Sequence, residues 1–134
     1  NILLDRIKKI LKGKFYKKKI TFLGVTFKAN TDDMRESPSI KIIPELHKKG
    51  ALIYYYDPSG FKNEFKKYKN VNYINKISNA CKNSDLIILH TEWNEFKNLN
   101  FKKLTKKNNF CIYDMRNLYS FDKMINKGIK YFKI

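Results

Sequence analysis

Apolar residues along the chain fall in short runs separated by lysine-rich turns. The opening stretch places Ile2, Leu3, Ile7, Ile10 and Leu11 near helical spacing, with Gly13 as a natural stop, so a helix is expected there. "KKITFLGVTF" predicts a first buried strand over Ile20 to Val25. Ser37 then offers an N-cap, Pro38 the favoured first helical position and Gly50 a stop, which sets out a helix facing the sheet with Ile40, Ile43 and Leu46. Pro44 lacks an N–H and crowds the carbonyl of Ile40, so a kink or a late start is expected in that helix.

Further on, "ALIYYYDP" reads as a strand over Ala51 to Pro58, and "FKNEFKKYK" as a short helix or irregular segment. A brief strand over Asn72 to Ile74, a helix in "KISNACKNS" and a strand in "DLIILHT" follow. "NFCIYDMRN" adds a strand ending near Tyr113, "FDKMINKG" a helix and "KYFKI" a last strand. Strands alternating with helices predict an α/β fold, a three-layer Rossmann-like sandwich on a mainly parallel sheet of five or six strands. Ligands of such folds sit beyond the carboxyl ends of the strands, which selects the loops Thr26 to Ser37, Asp57 to Gly60, Thr91 to Asn94 and Asp114 to Asn117.

A chain of 134 residues with 43% hydrophobic residues fits one domain with a single core. No apolar run approaches the roughly 20 residues of a membrane span. The formal net charge of +17 raises a polyanion as partner. The excess is nearly all lysine, spread among Asn and Ile, and no helix-turn-helix, zinc spacing or interleaved aromatic RNA motif accompanies it, so nucleic acid is not expected as a partner. Cys81 and Cys111 form no CxxC pair and have only His47 and His90 as companions. Buried structural thiols are expected, with no metal site and no catalytic cysteine.

Candidate chemistry concentrates in the selected loops. Lys28, Arg35 and Arg116 bring three cations to strand ends, which suits a phosphate-bearing ligand; a solvated loop in a lysine-rich chain explains them about as well. Asp32 and Asp33 tip the balance, because carboxylates beside Arg35 can hold its guanidinium or accept loop N–H groups. The GxGxxG fingerprint is missing from "LGVTFK", and neither histidine accompanies a nucleophile elbow. In "TEWNEF", Glu92 and Glu95 can be read as acid/base carboxylates, but a helix cap with Thr91 capping and Trp93 packing is favoured.

The stretch "LGVTFKANTDDMRESPS" resembles the start of the C-terminal, UDP-binding domain of the UDP-glucose/GDP-mannose dehydrogenase family. "YDP" at Tyr56 to Pro58, "TEWNEF" at Thr91 to Phe96 and "YDMRN" at Tyr113 to Asn117 follow in the family's order, and the likeness runs from about Lys18 to Ile134. The resemblance implies a cytoplasmic enzyme of which this chain is a piece. Residues 1–17 would end a long central helix that builds a homodimer or higher homo-oligomer, and 18–134 would bind the UDP-sugar. It implies that Phe27, Lys28 and Arg116 contact the UDP-sugar and that Arg35 reaches NAD, itself bound mainly by an N-terminal domain. Members oxidise the C6 hydroxyl of a nucleotide sugar to a carboxylate with two NAD in succession, through a thiohemiacetal and a thioester on a cysteine. That cysteine has no counterpart here, since Cys81 and Cys111 do not match its motif, so the chain alone is expected to be inactive. The wording "TDDMRESPS" is most like members acting on UDP-glucose, with GDP-mannose or an N-acetylated UDP-sugar as alternatives. A polyanion-binding module and a purely structural packing domain are the readings outside the family.

Overall fold

A computed structural model describes residues 1–134. The β-strands are β1 (Lys19–Leu23), β2 (Leu52–Tyr56), β3 (Val71–Tyr73), β4 (Leu86–Leu89), β5 (Cys111–Asp114) and β6 (Lys130–Lys133). The helices are α1 (Ile2–Ile10), α2 (Ser39–Lys48), α3 (Ile77–Cys81), α4 (Phe101–Thr105) and α5 (Phe121–Asn126). The strands form one sheet in the order β3-β2-β1-β4-β5-β6, and every adjacent pair is parallel. Strand order reverses between β1 and β4, whose residues pair from Ile20 with Leu86 to Leu23 with Leu89.

Alternation along the strands divides the core between the two faces of the sheet. Ile20, Phe22, Ile53, Tyr55, Leu86 and Ile88 pack with α1 and α2 on one face. Leu23, Ile87, Leu89 and Ile112 pack with α3, α4 and α5 on the other. The central strand β4 is buried at every residue because both its faces are covered. Thr21 is the polar exception on β1, and its hydroxyl is satisfied by the Ala80 carbonyl at 3.0 Å and by Ser84 at 2.6 Å.

Several elements differ from the sequence reading. β1 ends at Leu23, short of Val25, because the Val25 N–H turns to the Asp57 carboxylate at 2.8 Å. Gly24 takes φ +82, and a Cβ there would lie 2.5 Å from the Cβ of Thr91, so only glycine fits this close passage. α2 runs unbroken through Pro44. Its buried side is Ser39, Ile42, Ile43 and Leu46, an i, i+3, i+4, i+7 set, and Ile40 sits at the margin, one turn before the partly buried Pro44, which has no N–H to offer its carbonyl. Ser37 accepts the Ser39 N–H at 3.3 Å, but the residue directly before the helix is Pro38. "FKNEFKKYK" yields one 3-10 turn, Asn63–Phe65, and α4, opened by the Asn100 side chain accepting the Lys103 N–H, was not anticipated. No helix is long and apolar enough to cross a membrane.

Candidate functional site

The crossover from β1 to α2 lies over the switch point, and its backbone carbonyls are held by donors from the neighbouring strands. Thr91, after β4, donates its hydroxyl to the Thr26 carbonyl at 2.7 Å. Arg116, after β5, donates Nη2 to the Phe27 carbonyl at 2.8 Å and Nε to the His90 carbonyl at 2.9 Å. Lys62, beyond β2, reaches the Asp32 carbonyl at 3.4 Å and Ser59 Oγ at 2.6 Å while only 5% exposed. Inside the crossover, Thr26 Oγ1 donates to the Lys28 carbonyl at 2.8 Å, and Ser37 and Ser39 both donate to the Val25 carbonyl. The loop is therefore built by tertiary hydrogen bonds, which a polar segment without a core of its own requires.

Two buried carboxylates fix the strand ends beneath it. Asp57 Oδ2 accepts from the Val25 N–H at 2.8 Å, with the Thr26 N–H at 3.4 Å, and Oδ1 accepts from the Ser59 N–H and hydroxyl. Asp114 accepts from the backbone N–H groups of Arg116 and Tyr119 and, at 2.5 Å, from the Tyr131 hydroxyl. Neither has an oxygen turned to solvent, so both order the loops rather than perform chemistry.

Of the predicted site residues, Phe27, Lys28 and Arg35 line one cavity of ≈ 370 Å³ together with Thr31, Asp33 and Glu36. That volume lies at the lower end of the about 300–1,000 Å³ usual for ligand pockets. Phe27 is 40% exposed, and the Lys28 ammonium stands 5.9 Å from its ring centre. Arg116 stands behind this cavity and holds its wall through the Phe27 carbonyl. Arg35 is gripped by Asp33 in a two-pronged pair, Nε to Oδ1 and Nη2 to Oδ2, each 3.0 Å. That guanidinium, with the Arg35 N–H, holds the Asp33 carboxyl below the usual carboxylate range. Asp33 therefore orders the loop as expected, whereas Asp32 is exposed and contributes its main-chain carbonyl. Glu36 has φ 64, the left-handed region. Glu36→Gly is expected to be tolerated and Glu36→Val to cost about 1–2 kcal/mol in chemical denaturation.

Other candidates fall away or change role. Thr91 caps no helix; the 3-10 turn Asn94–Phe96 follows Trp93 without a side-chain cap. Its hydroxyl serves the Thr26 carbonyl instead. Glu95 accepts from the Tyr56 hydroxyl at 2.9 Å, and Glu92 is exposed. Burial pushes the Cys81 thiol up to about 12, against the opposing pull of Lys19, and Cys111, only half-buried, is also pushed up by desolvation. Neither is a ready nucleophile. His90 is fully buried, and burial, then the Arg116 charge, lowers its pKa to about 3. The unfolded chain thus binds the extra proton below about pH 6.5, and stability should fall with acid down to about pH 3. Between about pH 6 and 5 the loss should be about 1 kcal/mol, absent from His90→Asn, as read by urea unfolding across pH.

Sequence reasoning missed Asp57, Lys62 and Thr91 as builders of the site. "YDP" was a visible signal for Asp57, but the burial of Lys62 among so many lysines had none. The β1 end also lacks a dinucleotide seat. In dinucleotide-binding sheets a glycine-rich turn meets the pyrophosphate and an acid after β2 holds the ribose. Here a single glycine precedes a long crossover, Ser37 and Ser39 occupy the α2 start, and Asp57 is consumed by the loop. The residues present do not fit NAD at that position.

The chain matches the model of the UDP-glucose/GDP-mannose dehydrogenase family, UDP binding domain, over residues 21–121. It is 36% identical over 135 residues to a UDP-glucose 6-dehydrogenase of Rickettsia felis, covering 98% of this chain and 30% of the relative. It is 39% identical over 118 residues to a UDP-glucose 6-dehydrogenase of Rhizobium meliloti, covering 87% and 27%. A solved structure of NDP-N-acetyl-D-galactosaminuronic acid dehydrogenase from Methanosarcina mazei Go1 superposes with a TM-score of 0.80 at 28% identity, covering 99% of this chain and 28% of that one. The chain thus spans under a third of the length of these relatives. These likenesses establish that the chain belongs to the UDP-glucose/GDP-mannose dehydrogenase family, as its UDP-binding domain.

Proposed function

We propose that this chain is the C-terminal domain of an NAD-dependent UDP-glucose 6-dehydrogenase, which converts UDP-glucose to UDP-glucuronate, and that it holds the UDP moiety. The observation that carries the reading is the cavity lined by Phe27 and Lys28 after β1, with Arg116, after β5, bonded to the Phe27 carbonyl behind it. Phe27 offers a ring face to the nucleotide, Lys28 an ammonium to the diphosphate, and Arg116 a fixed positive charge beside both. Arg35, on the outer wall, reaches toward NAD held by the rest of the polypeptide. The same remainder supplies the nucleophilic cysteine, so this chain alone is inactive. α1 is then the end of a central helix through which the whole enzyme assembles as a homodimer or larger oligomer.

UDP-glucose is favoured by the relatives bearing that enzyme's name. A relative named UDP-N-acetyl-D-mannosamine dehydrogenase, from Methanococcus vannielii, is 32% identical over 136 residues, and it supports an N-acetylated UDP-sugar as the second reading. The test is a titration of the chain with UDP followed by amide shifts, with AMP as control. Shifts at Phe27, Lys28 and Arg116 for UDP alone are expected, and Lys28→Ala should weaken binding about tenfold. Equal shifts with AMP would overturn the nucleotide-sugar reading.

A further inference from the structure

We propose that His90 is a positioning residue: its imidazole, protonated on Nδ1, orients the Thr91 hydroxyl and through it the carbonyl that precedes Phe27 and Lys28. The inference rests on the nucleotide-binding reading above for its consequence, and on hydrogen-bond logic for its geometry. Thr91 Oγ1 lies 2.7 Å from the Thr26 carbonyl oxygen, which can only accept, so the one hydroxyl proton is spent there. The same Oγ1 lies 2.9 Å from His90 Nδ1 and must accept from it, so Nδ1 carries the ring proton. Nε2 is left bare, buried and without a partner.

The ring sits in a closed site, and the Thr91 contact is what sets which nitrogen faces the loop. His90 is 0% exposed, and its ring packs against Phe22 at 6.0 Å between centres. Its own carbonyl accepts from Arg116 Nε at 2.9 Å. One residue therefore governs two approaches to the cavity: its side chain sets the Thr26 carbonyl, and its main chain receives Arg116. A histidine at a strand end beside a ligand site invites an acid/base reading, but here the proton-bearing nitrogen points into a closed relay and the other is sealed from solvent. The relay sets loop position, and the ring exchanges no proton with a ligand.

Replacement by amides separates the nitrogens. Asparagine places an amide N–H near the position of Nδ1, glutamine places one near Nε2, and leucine supplies none. His90→Asn should bind UDP within about twofold of the parent chain, while His90→Gln and His90→Leu should bind about tenfold more weakly. Ring nitrogen shifts of the parent chain should show a protonated Nδ1 and a bare Nε2 at about pH 7. A protonated Nε2, or equal UDP affinity in the three folded variants, would overturn the proposal. If the parent chain binds no UDP, the nucleotide reading fails by itself, and the relay is read from the Phe27 and Lys28 amide shifts. Those must move in His90→Gln and His90→Leu and stay in place in His90→Asn; any other pattern overturns it.

Discussion

Arg116→Ala is expected to weaken UDP binding about 100-fold, equivalent to about 2.7 kcal/mol, by calorimetric titration. Two losses combine. The guanidinium charge behind the cavity wall is removed, and with its bonds to the His90 and Phe27 carbonyls gone the crossover loses its tie to β5. Arg116→Lys separates them, because lysine restores the charge but not a planar fork that reaches two carbonyls 2.9 and 2.8 Å away. It should recover less than about tenfold of the loss. Full recovery by lysine would mean that charge alone matters and that the two carbonyl bonds contribute nothing to binding.

Asp57→Ala should give the largest loss of stability, about 4 kcal/mol, since it strands the buried N–H groups of Val25 and Thr26 and the partly buried one of Ser59, whose acceptor is gone. For a chain of this size the melting temperature should drop by about 14 °C in calorimetry. Asp57→Asn keeps the volume but turns one acceptor into a donor that faces N–H groups, and roughly half of the loss is expected. A drop of only a few degrees in Asp57→Ala would show that water or a shifted loop satisfies these groups. UDP binding should also weaken in both variants, because Val25 and Thr26 lead directly into Phe27 and Lys28.

The parallel sheet was legible from local pattern alone. The unbroken run Leu86 to Leu89 announces a strand covered on both faces, and the alternation of strands with helices announces the crossover topology. The ordered motifs around Phe27, Asp57, Thr91 and Arg116 likewise picked out the strand ends whose side chains and carbonyls the fold brings together. Local pattern failed where a residue's role depends on a distant partner. Thr91 reads as a cap in sequence, but its hydroxyl serves Thr26, 65 positions away. Arg116 reads in sequence as a cation for a phosphate-bearing ligand, but two of its nitrogens are spent on the His90 and Phe27 carbonyls, the latter 89 positions away, and Lys62 reaches a loop carbonyl 30 positions earlier. The inward face of α2 turned on the packing of Ser39 against the Val25 carbonyl, which helical periodicity does not contain. Apolar spacing determines elements because burial acts on each side chain by itself. Hydrogen-bond partners are chosen only once the strands have brought their carboxyl ends together, so the site's wiring belongs to the tertiary structure.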